Sequence, residues 1–307
     1  MDSIISAQGV CKRYGGKPVV NHIDFAVPTG SCFGILGPNG AGKSTTLRML
    51  TGLTPVDEGT LLVFDQPMSP ECRTVQDRLG VVAQEDNLDE DLSVWENILV
   101  HGRYFGLADE QIKPRISKLL TFAKLEDRAD AAVRTLSGGM KRRLVIARSL
   151  VAEPELVVLD EPTTGLDPQA RHLIWQRLRQ LKEQGITLLL TTHYMEEAAQ
   201  LCDRLLVLDS GDILDQGTPQ ELISRHVEPE VIEIRAESSL NGTLLDPAEF
   251  PNLKARLEKI GDTLFCYTEH AAEIMQILAH RHDLTMLVRP ANLEDVFLKL
   301  TGRELRD

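Results

Sequence analysis

Apolar runs of strand length alternate with stretches of helical period along most of this chain, which predicts an α/β protein built on a largely parallel sheet. Residues 4–10 and 23–27 read as early strands, and Cys32–Leu36 as a third that runs straight into a glycine-rich turn. Residues 60–64 and Leu79–Val82 follow as short strands. An acidic stretch, 85–91, then introduces two predicted helices between 94 and 123 with no strand among them, a helical insertion in the α/β body. Strands return at 156–159, 187–191 and 204–208, separated by helices at 169–183 and 194–201. Ser210-Gly211 turns into a last strand at 212–216. Helix breakers and charge interrupt the pattern near 224–229. Beyond that point 231–236, 264–268 and 285–289 read as strands, and Arg256 with its neighbours, 271–281 and Leu293–Thr301 as helices, a small appended α+β domain.

Composition narrows the class. At 307 residues the chain is long enough for two domains. Hydrophobic residues make up 42% and charged residues 26%, which excludes extensive disorder. With 33 basic against 46 acidic residues the net charge is −13, the wrong sign for coating nucleic acid. No stretch approaches the roughly 18 consecutive apolar residues that cross a bilayer. The N-terminus, Met1-Asp2-Ser3-Ile4, lacks the basic and apolar regions of a signal peptide, so the chain is expected to stay in the cytoplasm. Five scattered cysteines (Cys11, Cys32, Cys72, Cys202, Cys266), never spaced as CxxC, read as reduced structural thiols. There is no internal repeat.

The sharpest chemical signal is Gly37-Pro38-Asn39-Gly40-Ala41-Gly42-Lys43-Ser44, followed by Thr45. Its glycines let a loop curl so that backbone N–H groups face phosphate oxygens, and the helix that starts near Lys43 adds its positive end. Lys43 supplies a cation for β- and γ-phosphates, and the Ser44 hydroxyl can sit on Mg²⁺. A second site is Leu156-Val157-Val158-Leu159-Asp160-Glu161, an apolar strand that delivers two acids at its C-terminal end. Asp160 is placed to hold Mg²⁺ through water, and Glu161 to polarise an attacking water as a general base. A strand-ending acidic turn is the plainer alternative. These two elements leave kinases, GTPases and many ATPases open.

Leu136-Ser137-Gly138-Gly139-Met140 decides among them: with the elements above, the sequence resembles the ATP-binding subunits of ABC transporters over about residues 4–225. Two glycines after Ser137 leave bare N–H groups at a helix start, a second anion cradle with no lysine. The resemblance implies an α/β P-loop NTPase of the ABC ATPase fold, a mixed sheet core plus a helical subdomain at about 91–151, with the α+β extension over 226–307. It implies head-to-tail self-dimerisation on ATP, Ser137, Gly138 and Gly139 closing over the nucleotide of the other copy. It also places Gln84 as the Q-loop glutamine on Mg²⁺, Asp167 as the dimer-interface aspartate, His193 as the switch histidine at the γ-phosphate, and Tyr14 as the aromatic on adenine. Met140 departs from the glutamine often found there.

Residues 290–302 resemble the ending of bacterial drug and polysaccharide exporter ATPases. Within that branch Arg171-His172-Leu173-Ile174-Trp175 and Thr263-Leu264-Phe265-Cys266-Tyr267-Thr268 look like the nodulation-factor exporter ATPases. That likeness implies a peripheral subunit on the cytoplasmic face of the bacterial inner membrane, a separate integral-membrane permease like NodJ, and a lipo-chitooligosaccharide cargo. A related exporter, an importer ATPase or a soluble mechanochemical ABC protein are the rival readings. Gln84 and the helix opened by Ser93-Val94-Trp95-Glu96 form the expected permease surface, with Trp95 either an anchor there or a core residue. The run Lys141-Arg142-Arg143 reads as a solvated helix face, and His280 and His282 as structural.

Overall fold

The computed structural model describes residues 2–69, 71–236, 253–281 and 283–302. His282 and parts of the predicted C-terminal extension, 237–252 and 303–307, lie outside the described residues. The chain divides into two compact units, Met1–Thr218 and Pro219–Glu304.

In the first unit β1 (Ser3–Tyr14) and β2 (Lys17–Pro28) form an antiparallel hairpin. Gly15 and Gly16 close it, both at positive φ (58° and 79°), as a tight two-residue turn requires. After β3 (Cys32–Leu36) and α1 (Lys43–Leu50), β4 (Glu58–Val63) and the short β5 (Gln66–Pro67) complete an antiparallel sheet of order β2-β1-β4-β5. Then come α2 (Arg73–Gln76), β6 (Leu79–Val82), three helices α3 (Val94–Tyr104), α4 (Asp109–Ala123) and α5 (Gly138–Ser149), and β7 (Leu156–Asp160). The unit ends with α6 (Pro168–Glu183), β8 (Thr187–Thr192), α7 (Met195–Leu201), β9 (Arg204–Asp209) and β10 (Asp212–Gly217).

The second sheet has the order β10-β9-β3-β8-β7-β6. It is parallel from β9 to β6, with β10 antiparallel at the edge. Every residue of β3 and β8 is buried, as expected of parallel strands covered on both faces. Phe25 on β2 stacks on Phe33 of β3 at 5.8 Å and joins the two sheets. The helical insertion has its own core, including Ile98, Ile112 and Ile116, all fully buried and each worth roughly 1.5–3 kcal/mol. A Cβ on Gly102 would fall 2.8 Å from Ile112 Cδ1, so glycine sets how closely α3 and α4 approach. Ser93 and Glu96 exchange hydrogen bonds as a capping box that starts α3.

The second unit holds α8 (Pro219–His226), β11 (Glu230–Ala236), β12 (Arg256–Ile260), β13 (Thr263–Thr268), α9 (Ala271–Leu278), β14 (Leu284–Pro290) and α10 (Leu293–Thr301). Its antiparallel sheet has the order β12-β13-β11-β14. Within this unit α8 packs on α10, where Lys299 Nζ reaches the His226 carbonyl at 2.5 Å. Arg256 is a strand residue, not helical as expected. Gly261 (φ 59°) and Asp262 turn Ile260 back onto Thr263, and Arg256 pairs with Tyr267. That Gly-Asp pair is a hairpin signal legible in the sequence.

Candidate active site

The glycine-rich loop joins β3 to α1, and two of its glycines, Gly37 and Gly42, are sterically required. A Cβ on Gly37 would lie 2.2 Å from the Leu208 carbonyl oxygen. On Gly42, where φ is 107°, it would lie 2.6 Å from the Val19 carbonyl oxygen. Gly42 is the residue before the first turn of α1, whose N–H groups have no intrahelical acceptor and face the loop. Pro38, Asn39, Gly40 and Ala41 complete the curl, with Ala41 N–H donating to the Pro38 carbonyl at 3.2 Å. Thr45 follows on α1.

Lys43 folds back under this loop. Its Nζ donates to the carbonyls of Gly37 (2.8 Å) and Pro38 (3.1 Å) and lies 3.3 Å from Glu161 Oε1. Burial pulls its ammonium below the ordinary lysine value, against the attraction of Glu161 and Asp160. Ser44 Oγ donates to Asp160 Oδ1 at 3.3 Å, and Thr191 Oγ1, from the end of β8, donates to the same oxygen at 2.5 Å. Thr191 also receives the Glu161 N–H, at 3.1 Å on Oγ1. The neighbouring strands β7 and β8 thus fix both acids at their carboxyl ends, where open α/β sheets bind ligands.

Glu161 sits at φ 45°, a left-handed backbone that a glutamate adopts only where its surroundings over-determine it. Thr164 Oγ1 donates to its Oε2 at 3.1 Å, and His193 Nδ1 lies 3.3 Å from Oε2 without hydrogen-bond alignment. Burial opposes ionisation of Glu161, but Lys43, His193 and Thr164 together outweigh it and hold the carboxyl below its ordinary value. His193 follows β8, and its ring packs 4.2 Å from that of Tyr194. Gln84, just past β6, lines a cavity of about 340 Å³ with Ser44 and Asp160.

The other expected positions stand apart from this cluster. Tyr14 is exposed at the end of β1, with Lys12 Nζ 5.7 Å from its ring centre. Ser137 caps α5, its Oγ accepting from Met140 N–H at 3.3 Å. A Cβ on Gly138 would meet nothing within 4 Å, so that turn is open; on Gly139 it would lie 3.0 Å from Ala170. Asp167 caps α6 by accepting from Ala170 N–H at 2.9 Å. Among the described residues no hydrogen bond or ion pair joins Tyr14, Ser137, Gly138, Gly139 or Asp167 to the Lys43–Glu161 group.

Sequence reasoning missed Thr191, Thr164, Arg142 and Glu197. Thr191 carried a signal, a hydroxyl directly after the apolar run Leu188-Leu189-Leu190. The basic run is not a solvated face: Arg142 is buried, Lys141 pairs with Glu90 at 2.6 Å, and Arg143 donates to the Ala123 carbonyl at 2.5 Å. Glu197, fully buried on α7, accepts from Thr163 Oγ1 (2.7 Å) and Trp175 Nε1 (3.1 Å) through one oxygen. Burial pushes its carboxyl up, against these hydrogen bonds. Trp95 is half-buried against the core of the helical insertion.

A lysine-bearing loop after β3 with a hydroxyl–carboxylate pair and a buried second acid at the end of β7 define a P-loop nucleotide site, and the Ser137-Gly138-Gly139 turn that opens α5 narrows it to the ABC type. The family profile described as ABC transporter matches residues 20–164, and that described as Nodulation factor export protein NodI, C-terminal domain, matches 243–302. The Nod factor export ATP-binding protein I of Cupriavidus metallidurans is 52% identical over 309 residues, covering 100% of both chains. Among solved structures, the cbiO1 subunit of the cbiONQ ABC transporter of Clostridium perfringens aligns at a TM-score of 0.68 and 28% identity, over 73% of this chain and 92% of that one. A dimeric ATP-binding cassette in a post-hydrolysis state with ADP and Pi aligns at 0.64 and 26% identity, over 70% and 98%. The chain belongs to the Nod factor export ATP-binding protein I family, ATP-hydrolysing subunits of ABC exporters.

Proposed function

We propose that this subunit hydrolyses Mg·ATP to drive a NodJ-like permease that exports lipo-chitooligosaccharide. The observation that carries the ATPase part is the convergence of Lys43, Ser44, Asp160, Glu161 and His193 at the ends of β3, β7 and β8. Ser44, Asp160 and Gln84 suit Mg²⁺: one carboxylate, one hydroxyl and one amide around a cavity leave room for phosphate and water, which that ion prefers. Bound there, the ion neutralises charge on the β- and γ-phosphates.

In this reading Gly37, Pro38, Asn39, Gly40, Ala41, Gly42 and Thr45 cradle the phosphates, Lys43 takes the β- and γ-oxygens, and Tyr14 stacks on adenine. Glu161 orients the attacking water and accepts its proton, while His193 touches the γ-phosphate. Lys43 cannot serve phosphate and Glu161 equally. As its ammonium turns to phosphate, Glu161 loses a buried cation and its proton affinity rises, which suits a base. Ser137, Gly138 and Gly139 of a second copy close over the nucleotide, with Asp167 at the joint. The openness around Gly138 favours that role.

The ATP-binding domain spans 4–225 in this assignment, with the helical subdomain at 91–151 and the extension at 226–307. Among the described residues no helix is long and apolar enough to cross a membrane, and the permease supplies the pathway. Its docking groove is a cavity of about 650 Å³ between β6 and the end of α3, lined by Val81, His101, Tyr104 and Phe105. Tyr104 is 83% exposed, and Val81 also lines the Gln84 cavity, which favours this groove over the half-buried Trp95 as the anchor. The subunit is then peripheral, on the cytoplasmic face of the inner membrane. The cargo rests on the name of the relatives.

Gentle solubilisation of native membranes followed by capture on a tag at this chain tests the reading. A multi-span permease in roughly equal amount is the expected result. Ribosomal or DNA-bound proteins with no permease overturn the transport function and leave the ATP chemistry standing.

A further inference from the structure

Arg142 lies one turn into α5, 5% exposed, and its guanidinium is surrounded by backbone carbonyls. Nε donates to Pro162 O at 2.8 Å. Nη1 donates to Ala83 O at 2.5 Å and Gln84 O at 3.4 Å, and Nη2 to Asp160 O at 2.9 Å and Glu161 O at 3.3 Å. A guanidinium has five N–H donors in a fixed planar fork, and here all five have acceptors. Those acceptors belong to two places only: the segment leaving β6, which carries Gln84, and the end of β7, which carries Asp160 and Glu161. The nearest carboxylate to Nη1 is Asp86, at 3.9 Å, so the group is held by carbonyl dipoles more than by an ion pair.

A second arginine of the same helix extends the grip. Arg148 donates to Asn87 O at 2.8 Å and Asp86 O at 3.2 Å, further along the segment that leaves β6. The start of this helix is the turn of Ser137, Gly138 and Gly139. At 1.5 Å rise per residue, about 6 Å of rigid helix separates Gly138 from Arg142. A shift of that turn therefore moves the guanidinium, and with it the carbonyls on which Gln84 and Glu161 are mounted.

We propose that Arg142 is a positioning residue for ATP hydrolysis, a bracket that holds Gln84 and Glu161 in one frame and makes that frame follow the Ser137–Gly138–Gly139 turn. The proposal rests on the reading of Glu161 as the base and Gln84 as a Mg²⁺-side group. Lysine cannot replace the bracket, because three donors on one atom do not span two strand ends.

The test uses the full chain with Arg142→Lys, Gln84→Ala and their combination, followed by steady-state ATPase kinetics and calorimetry with Mg·ADP. Arg142→Lys is expected to leave Mg·ADP affinity and the KM for ATP within about threefold while kcat falls on the order of 10²-fold, as when reacting groups are misplaced by about 1 Å. The losses in kcat from Arg142→Lys and Gln84→Ala are expected to combine to less than their product, since both act through one frame. A kcat near the parental value overturns the bracket. So do multiplicative losses, which make Arg142 and Gln84 independent of one another, and a parallel fall of Mg·ADP affinity and kcat or a lysine variant that no longer folds, either of which makes Arg142 a plain stability residue. Glu161→Gln run alongside keeps the two readings apart: parental turnover there sinks the base on which the proposal rests, whatever Arg142→Lys does.

Discussion

The ammonium of Lys43 lies 3.3 Å from Oε1 of Glu161, and the two side chains are only 4% and 7% exposed. Lys43 opens α1 directly after the loop that follows β3, and Glu161 follows the end of β7, so the contact joins that loop to the acid beside it. Removing one partner of such a buried pair leaves a charge unsatisfied, at a cost on the order of 3 kcal/mol. Lys43→Ala is therefore expected to lose Mg·ATP binding in calorimetry and also to lower the melting temperature. Adding Glu161→Gln to it recovers most of the stability and none of the binding. Tight Mg·ATP binding by Lys43→Ala shows that the loop does not depend on its cation.

Glu161→Gln alone keeps the hydrogen bond from Thr164 but cannot accept a proton. Turnover is expected to fall roughly 10²–10⁴-fold, the usual contribution of a positioned base, with nucleotide affinity retained. Single-turnover assays with radiolabelled ATP measure this directly, and an unchanged rate removes Glu161 from the chemistry.

The glycines of the loop before α1 and of the turn before α5 separate by steric surroundings. Gly42→Ala puts a Cβ against the Val19 carbonyl at a φ of 107°, a strain of about 1–3 kcal/mol that both melts the protein earlier and weakens nucleotide binding. Gly138→Ala meets nothing within 4 Å and is expected to leave the melting temperature unchanged while ATPase activity drops. Unchanged ATPase activity in Gly138→Ala shows that nothing approaches that turn during turnover.

Glu197 sets a pH dependence. Burial raises its carboxyl in the folded chain, so the folded state binds this proton more tightly than the unfolded state, whose carboxyl titrates near about 4.3. The stability it contributes is full below the unfolded value and is lost as pH rises through the folded one. Glu197→Gln keeps an acceptor for Thr163 and Trp175 and has no proton to lose. The melting temperature of the parent is thus expected to fall relative to the variant as pH rises from about 4.3; parallel curves mean that Glu197 is ionised in the fold.

Much of the site was legible because it is local in the chain. A loop of eight consecutive residues and two adjacent acids carry their chemistry in their spacing, and the strands around them announce themselves as unbroken apolar runs. The helices of the insertion follow their 3.6-residue period, and Ser93 with Glu96 marks the start of α3. Arg256 was misread because a short strand with three charged residues among five carries little period of its own. Its pairing with Tyr267, across a Gly-Asp turn, decides the matter.

Arg142 shows the opposite limit. In sequence it is the middle of three basic residues, indistinguishable from a solvated face. In the fold it is buried because its five donors find five carbonyls brought together from two strand ends. Glu197 is likewise an ordinary acid in a helical run until α7 packs it beneath Thr163 and Trp175. The class of chemistry is written in the linear order of residues, since phosphate binding needs particular side chains at fixed short spacing. Which charges lie buried, and what holds them, is settled in three dimensions, because burial and hydrogen-bond partnership arise between segments that are distant along the chain.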